Sequence, residues 1–299
     1  MEGADMTRTV VVAVDGADAS RFAVRWAAAE ARRREQPLRV VHVLDWEWAT
    51  ARYDFAGEQY RAAHQAAEAI TAAAAEQARA VAPSLGVETG VLIGSPAAQL
   101  VIASETAGLM VLGHRGHGGF PGLRLGSVSQ RVATHAHCSV TVVPDDAEHG
   151  DRPVAAGVDD SVAADGVLEA AFAAAHQRGV KLVAIRAYVP PLPPYDGDLP
   201  PAYLRAPVQD AAERIRLAEH LAPWQAKFPD VEVETLVSPD GAAAVLVDAS
   251  RDAQLVIVGS RGHGVLAGTL LGSVGLQLLH HAACPVLIVR PEHGRDGTP

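Results

Sequence analysis

Gly113-His114-Arg115-Gly116, followed after nine residues by Gly126-Ser127, returns as Gly259-Ser260-Arg261-Gly262, nine residues and Gly272-Ser273. The two stretches stand 146 positions apart, as do Cys138 and Cys284, while Asp15 and Asp159 near the start of each copy are 144 apart. A repeat of this length, drifting by one small insertion, means that one domain occurs twice. Between the copies runs Pro144 to Arg152 (PDDAEHGDR), with the proline, glycine and charge content of a linker. This places domain one at 1–147 and domain two at 148–299.

Working outward from the glycine stretch, each copy alternates short apolar, β-branched runs with helical patterns. In the first copy the strands are Thr9 to Val14, Leu38 to Leu44, Val87 to Ile93, Leu109 to Leu112 and Ser139 to Val143. Helices are expected around Phe22 to Arg34, over Ala97 to Thr106 behind the start signal Ser95-Pro96, and over Ser127 to His137, with Gly108 ending the second of these. The second copy repeats the strands at Val154 to Val158, Leu182 to Ala187, Val231 to Val237, Leu255 to Val258 and Val286 to Val289, and Ser238-Pro239 again announces a helix. Alternating βα units with fully apolar strands give an α/β fold: two tandem doubly wound domains, each with a five-stranded parallel sheet and right-handed crossovers. The copies differ most after the second strand, at Asp45 to Gln59 and at Val189 to Pro207; the latter is too proline-rich for helix or central strand and reads as an extended surface loop.

Composition narrows the function. Hydrophobic residues make up 49% and charged residues 20%, much of the apolar share being alanine, so helices pack closely on a sheet. The net charge of -10 opposes nucleic-acid binding, local exceptions lying only around Arg115, Arg124 and Arg261. Two cysteines suit neither a disulfide framework nor a zinc site, and no run approaches the roughly 18 apolar residues of a membrane span. The expectation is a cytoplasmic protein with no membrane or nucleic-acid partner.

In an open parallel sheet, ligands sit beyond the carboxyl ends of the strands where the crossover direction reverses. The loops after strands one and four carry Asp15 with Gly113, and Asp159 with Gly259; if these strands are neighbours, the residues line one crevice. Glycine at Gly113 and Gly116 is expected to take positive φ and to let a ligand approach. Gly126-Ser127 and Gly272-Ser273 open the next helix, whose unpaired N–H groups and positive dipole end attract phosphate. Neither loop holds a Walker lysine, and the dinucleotide fingerprint fails because its glycines belong after strand one.

With the Val-Asp endings (Val14-Asp15, Val158-Asp159), both glycine-serine motifs, and the strands after His137-Cys138 and Cys284-Pro285, the chain resembles the universal stress protein family in its tandem form, over nearly its whole length. The resemblance implies the adenine nucleotide α-hydrolase-like fold and ATP binding, with Mg2+ held by the phosphates. It implies Asp15 and Asp159 near adenine and ribose, and backbone contacts to adenine from Val43 and Ala187. Leu112, Gly113, Arg115, Gly116, Gly126, Ser127 and Val128 would surround ribose and phosphates in the first half, with Val258, Gly259, Arg261, Gly262, Gly272, Ser273 and Val274 in the second. It also implies that the edge strand pairs between the halves; a further homodimer and a regulatory protein partner are expected. His114 departs from the small residue usual at its place, which Ser260 matches.

Each residue has a plainer reading. Asp15 and Asp159 can cap the following helix, and Ser127 and Ser273 can be ordinary N-caps. His42 reads as a packed histidine, matched by the chemically different Arg186, and His117 and His263 as loop residues that touch phosphate or water. Cys138 and Cys284 read as structural thiols, and Trp46, Trp48 and Trp224 as packing residues. Hydrolysis needs a base and a charge clamp, and no such set recurs in both halves. The expected function is therefore a nucleotide-dependent regulator or sensor in stress or dormancy responses, with at most weak ATP hydrolysis; the alternatives are a slow ATPase or nucleotidyl-transfer-type enzyme on the same fold, and a nucleotide-free scaffold.

Overall fold

A computed structural model describes residues 9–46, 57–116, 125–145, 150–189, 207–262 and 271–290. They fall into two compact units, 9–145 and 150–290. In the first, the chain order is β1 (Thr9–Ala13), α1 (Asp18–Arg33), β2 (Leu38–Leu44), α2 (Glu58–Val81), β3 (Val87–Ile93), α3 (Pro96–Ala103), β4 (Ala107–Gly113), α4 (Ser127–His135) and β5 (Ser139–Val143). The second runs β6 (Val154–Gly157), α5 (Ala164–Arg178), β7 (Leu182–Ala187), α6 (Pro207–Lys227), β8 (Val233–Ser238), α7 (Ala242–Ala249), β9 (Leu255–Gly259), α8 (Ser273–His281) and β10 (Val286–Val289).

The strand order is β3-β2-β1-β4-β5 in the first unit and β8-β7-β6-β9-β10 in the second, every pair within a unit parallel. Strands one and four of each copy are thus neighbours, with Val12 beside Val111 and Ala156 beside Ile257. The chain steps outward from β1 to β3, then crosses back to β4. With right-handed crossovers, that reversal sends α1 and α2 to one face and α3 and α4 to the other, opening a crevice at the ends of β1 and β4.

Strand residues with both faces covered must be apolar throughout, and Val10, Leu38, Leu109, Met110 and Val140 are fully or almost fully buried, as are Leu182, Leu255, Ile257 and Ile288 in the second unit. Alanine supplies the helix face: Ala23, Ala27 and Ala31 of α1 have no exposed surface, so the helix backbone sits close on the sheet. Where the second unit is bulkier, Phe172 of α5 stacks on Phe228 at 5.9 Å.

Three expectations about element ends are corrected. The third helix stops at Ala103, and Gly108 lies inside β4, where main-chain pairing to β1 takes priority over its breaker tendency. Ser238 closes β8 instead of starting a helix; its hydroxyl accepts from the Asp240 N–H, making a turn, and Gly241 is the N-cap of α7. The Pro-rich run falls on residues 190–206, outside those described, while Pro207 opens α6. Among the described residues no helix is long and apolar enough to cross a membrane.

Candidate functional site

Beyond β1 the chain keeps parallel pairing for one more residue, the Val14 N–H donating to Val41 at 2.9 Å, and then turns at Asp15. Oδ1 of Asp15 accepts the Ala17 N–H at 3.0 Å and the Ser20 hydroxyl. Asp159 does the same in the second unit, its Oδ1 accepting the N–H and the hydroxyl of Ser161 at 3.0 and 2.6 Å. Since α1 and α5 are capped at Ala17 and Ala163, neither aspartate is an N-cap; each shapes the turn before its helix. The second carboxylate oxygen faces the glycine loop. A Cβ on Gly116 would run into Oδ2 of Asp15, and one on Gly262 would come within 2.7 Å of Oδ2 of Asp159.

The loop after β4 begins by extending the sheet, with the His114 N–H donating to Val143 at 2.8 Å and the Ser260 N–H to Val289 at 2.9 Å. Its far end is tied to its start, because the Gly126 N–H donates to the His114 carbonyl at 2.9 Å and the Gly272 N–H to the Ser260 carbonyl at 2.8 Å. His114 and Ser260 make these links through the backbone, so the side-chain difference leaves the loop base unchanged. Ser129 adds a bond from its hydroxyl to the Gly113 carbonyl at 2.7 Å.

Gly126 and Gly272 are themselves the N-caps of α4 and α8, both with extended backbone and no side-chain cap. Ser127 and Ser273 are therefore the first helical residues and not the caps. Among the described residues, the amides of Ser127, Val128 and Ser129, and of Ser273, Val274 and Gly275, have no acceptor. Six N–H groups, three per helix start, thus point into the crevices with the positive end of the helix dipole behind them.

The glycines do not take the backbone conformation expected of them. Gly113, Gly116, Gly259 and Gly262 all lack positive φ. A Cβ on Gly113 would lie 3.2 Å from the Ala19 carbonyl oxygen, and one on Gly259 would lie 3.0 Å from that of Arg261 and 3.1 Å from the Ala163 Cβ. These two glycines let β4 and β9 approach the next layer of the protein itself. At Gly126 and Gly272 the nearest atoms to an added Cβ are the His114 oxygen at 3.5 Å and the Ser260 oxygen at 3.7 Å, so a methyl fits there beside the loop.

Asp15, Arg115, Gly116, Gly126, Ser127 and Val128 meet around one crevice, and Asp159, Arg261, Gly262, Gly272, Ser273 and Val274 around the other. Leu112 and Val258 are buried in their strands, leaving only main chain to offer, and Val43 and Ala187 stand one strand further out, near the ends of β2 and β7. Arg115 is exposed and 4.0 Å from Asp145. His42 holds the Val14 carbonyl through Nδ1 at 2.8 Å, a packing role. Trp46 meets Tyr60 edge-on at 5.3 Å and Lys227 lies over Trp224 at 5.0 Å, so both indoles pack within the chain. Arg124, His117, His263 and Trp48 lie outside the described residues. Ser20 and Ser129, which fix Asp15 and Gly113, are additions from the structure; their only trace in the sequence is a serine shortly after each motif.

Two doubly wound α/β units in tandem, each with an aspartate, a glycine loop and a bare helix start around one crevice, define the class. Residues 6–144 and 152–290 each match the Universal stress protein family. A universal stress protein of Mycobacterium tuberculosis is 36% identical over 306 residues, spanning 97% of this chain and 99% of its own length. Another from Mycolicibacterium smegmatis is 36% identical over 297 residues, spanning 94% and 97%. A universal stress protein from Archaeoglobus fulgidus shares the fold, with a TM-score of 0.70 at 20% identity, over 95% of this chain and 98% of that one. The chain belongs to the universal stress protein family, as a tandem member with two such domains.

Proposed function

We propose that each unit binds ATP, with Mg2+ carried on the phosphates, and that the protein is a nucleotide-dependent regulator of a stress or dormancy response acting in the cytoplasm. The observation that carries this reading is the set of three amides without acceptors among the described residues at the start of α4, repeated at α8. Neutral amides and a helix dipole suit a triphosphate, and Arg115 and Arg261 add positive charge at the rim. Mg2+ would be held by the phosphates themselves; among the described residues no group of three His, Cys, Asp or Glu side chains stands ready for a metal ion.

Regulation is favoured over hydrolysis because, among the described residues, the aspartate in each crevice is committed to the fold through Oδ1. Oδ1 of Asp15 accepts from the Ala17 N–H and the Ser20 hydroxyl of α1, and Oδ1 of Asp159 accepts from the N–H and hydroxyl of Ser161. A carboxylate so engaged is a poor general base for water. Nucleotide that is bound and retained selects a conformation or a partner.

The test is to extract the purified protein, identify the nucleotide, and titrate ATP into the wild type, Gly126→Ala and Gly272→Ala. Each alanine adds a methyl that the chain itself accommodates but that crowds the phosphate place. Two sites in the wild type and one in each variant are expected. Recovery of AMP with rapid turnover would favour an enzyme, and no binding at millimolar ATP would sink the reading in favour of a scaffold.

A further inference from the structure

The two units differ directly behind the aspartate loop. Counting from the aligned strands, Gly16, His42, Ala67, Ile70 and Ala74 of the first unit correspond to Asp160, Arg186, Glu213, Arg216 and His220 of the second. In the first unit three of these positions, Gly16, Ile70 and Ala74, line a pocket of about 570 Å3 between α1 and α2, together with Val14, Ala17 and Ser20 among others. The second unit carries charge at the corresponding positions. Arg186 is 5% exposed; its Nε donates to Oε2 of Glu213 and its Nη2 to Oδ2 of Asp160, both at 2.6 Å. Arg216 reaches the other oxygen of Glu213 at 2.8 Å, and Nε2 of His220 lies 3.9 Å from Oδ1 of Asp160.

Burying the Arg186–Glu213 ion pair is costly, since apolar residues of similar volume often give equal or greater stability. The cluster also leaves Nη1 of Arg186 and Nδ1 of His220 buried without a hydrogen-bond partner. What it does achieve is a rigid link from α6 through β7 to Asp160, the residue next to Asp159. In the first unit the corresponding His42 holds the Val14 carbonyl at 2.8 Å with no charged cluster behind it among the described residues, Asp15 accepts from the Ala17 N–H and from the Ser20 hydroxyl of α1, and Gly16 follows at φ 84° beside the pocket.

We propose that Arg186 is a positioning residue for the Asp159 loop, and that it makes the second crevice the pre-organised, tighter ATP site and the first the adaptable, weaker one. The affinity difference rests on the ATP reading above. A loop already fixed in place loses less freedom when ligand binds.

ATP titrations of the full chain test this, with Gly126→Ala reporting the second site and Gly272→Ala the first, each combined with Arg186→Met and Arg186→Lys. The second site is expected to bind more tightly. Arg186→Met should weaken it by on the order of tenfold, Arg186→Lys by less, and neither should alter the first site. Equal sites, or an Arg186→Met effect that is absent or common to both, would overturn the proposal. Asp160→Asn, at a half-exposed position that tolerates change, should move the second site in the same direction and covers the case in which Arg186→Met does not fold. Hydrogen exchange without nucleotide separates the two readings. Faster exchange at 159–163 but not at 15–19 in Arg186→Met supports the positioning role even if the wild type binds no ATP; unchanged exchange at both loops removes it.

Discussion

Cys284 lies fully buried just before β10, and burial pushes its thiol up to about 12. A thiol that stays protonated and covered is neither a nucleophile nor a ready redox sensor. Its counterpart Cys138 is only half-buried, so native protein at pH 8 should take up one equivalent of iodoacetamide, at Cys138, and a second only after denaturation; mass spectrometry of the labelled peptides checks this. At Asp160, the hydrogen bond from Arg186 holds the carboxyl below its ordinary value against the opposing effect of burial. A carboxyl whose folded value is depressed adds stability above its unfolded pKa and loses that contribution as pH falls through the folded one. Acid unfolding followed below about pH 4 should therefore be steeper in the wild type than in Asp160→Asn.

At the scale of elements, one buried serine in each unit ties two helix ends together. Ser104 donates to the Val101 carbonyl and accepts the His137 N–H at 2.8 Å, and Ser250 donates to Val247 and accepts the Ala283 N–H at 2.9 Å. Ser104→Ala and Ser250→Ala should each cost about 1–3 kcal/mol, measured by urea denaturation, because a buried amide loses its acceptor. These serines carry no motif, so the sequence does not announce them. The strands were legible because β-branched runs with both faces buried stand out against any background. α2 was not, because alanine fills both its faces and blurs the helical period. The glycine motifs were legible as a pattern but not in their reason: the need for Gly113 arises from the Ala19 carbonyl, which only the folded packing brings near. Glu213 was invisible for a similar cause, since its partner Arg186 lies 27 residues earlier, across the Pro-rich run.

For the molecule as a whole, the repeat was the most readable feature, and it carries a thermodynamic expectation. Ligand that binds the folded form alone stabilises it by about 2.7 kcal/mol when present at roughly 100 times its dissociation constant. Denaturant titration with MgATP should show that gain for the wild type, with the unit altered by Gly126→Ala or Gly272→Ala losing its share. A chain whose unfolding midpoint ignores MgATP would have no folded-state nucleotide site.

The tie from Gly126 to the His114 carbonyl, and from Gly272 to Ser260, acts as a staple across the mouth of each loop. The same main-chain bond closes both loops, and nine residues separate Gly116 from Gly126 and Gly262 from Gly272, so the two nine-residue sequences can be exchanged without altering either tie. Such an exchange should leave the melting curve of the protein close to that of the wild type, so that sequence can drift between the ties without cost to either sheet.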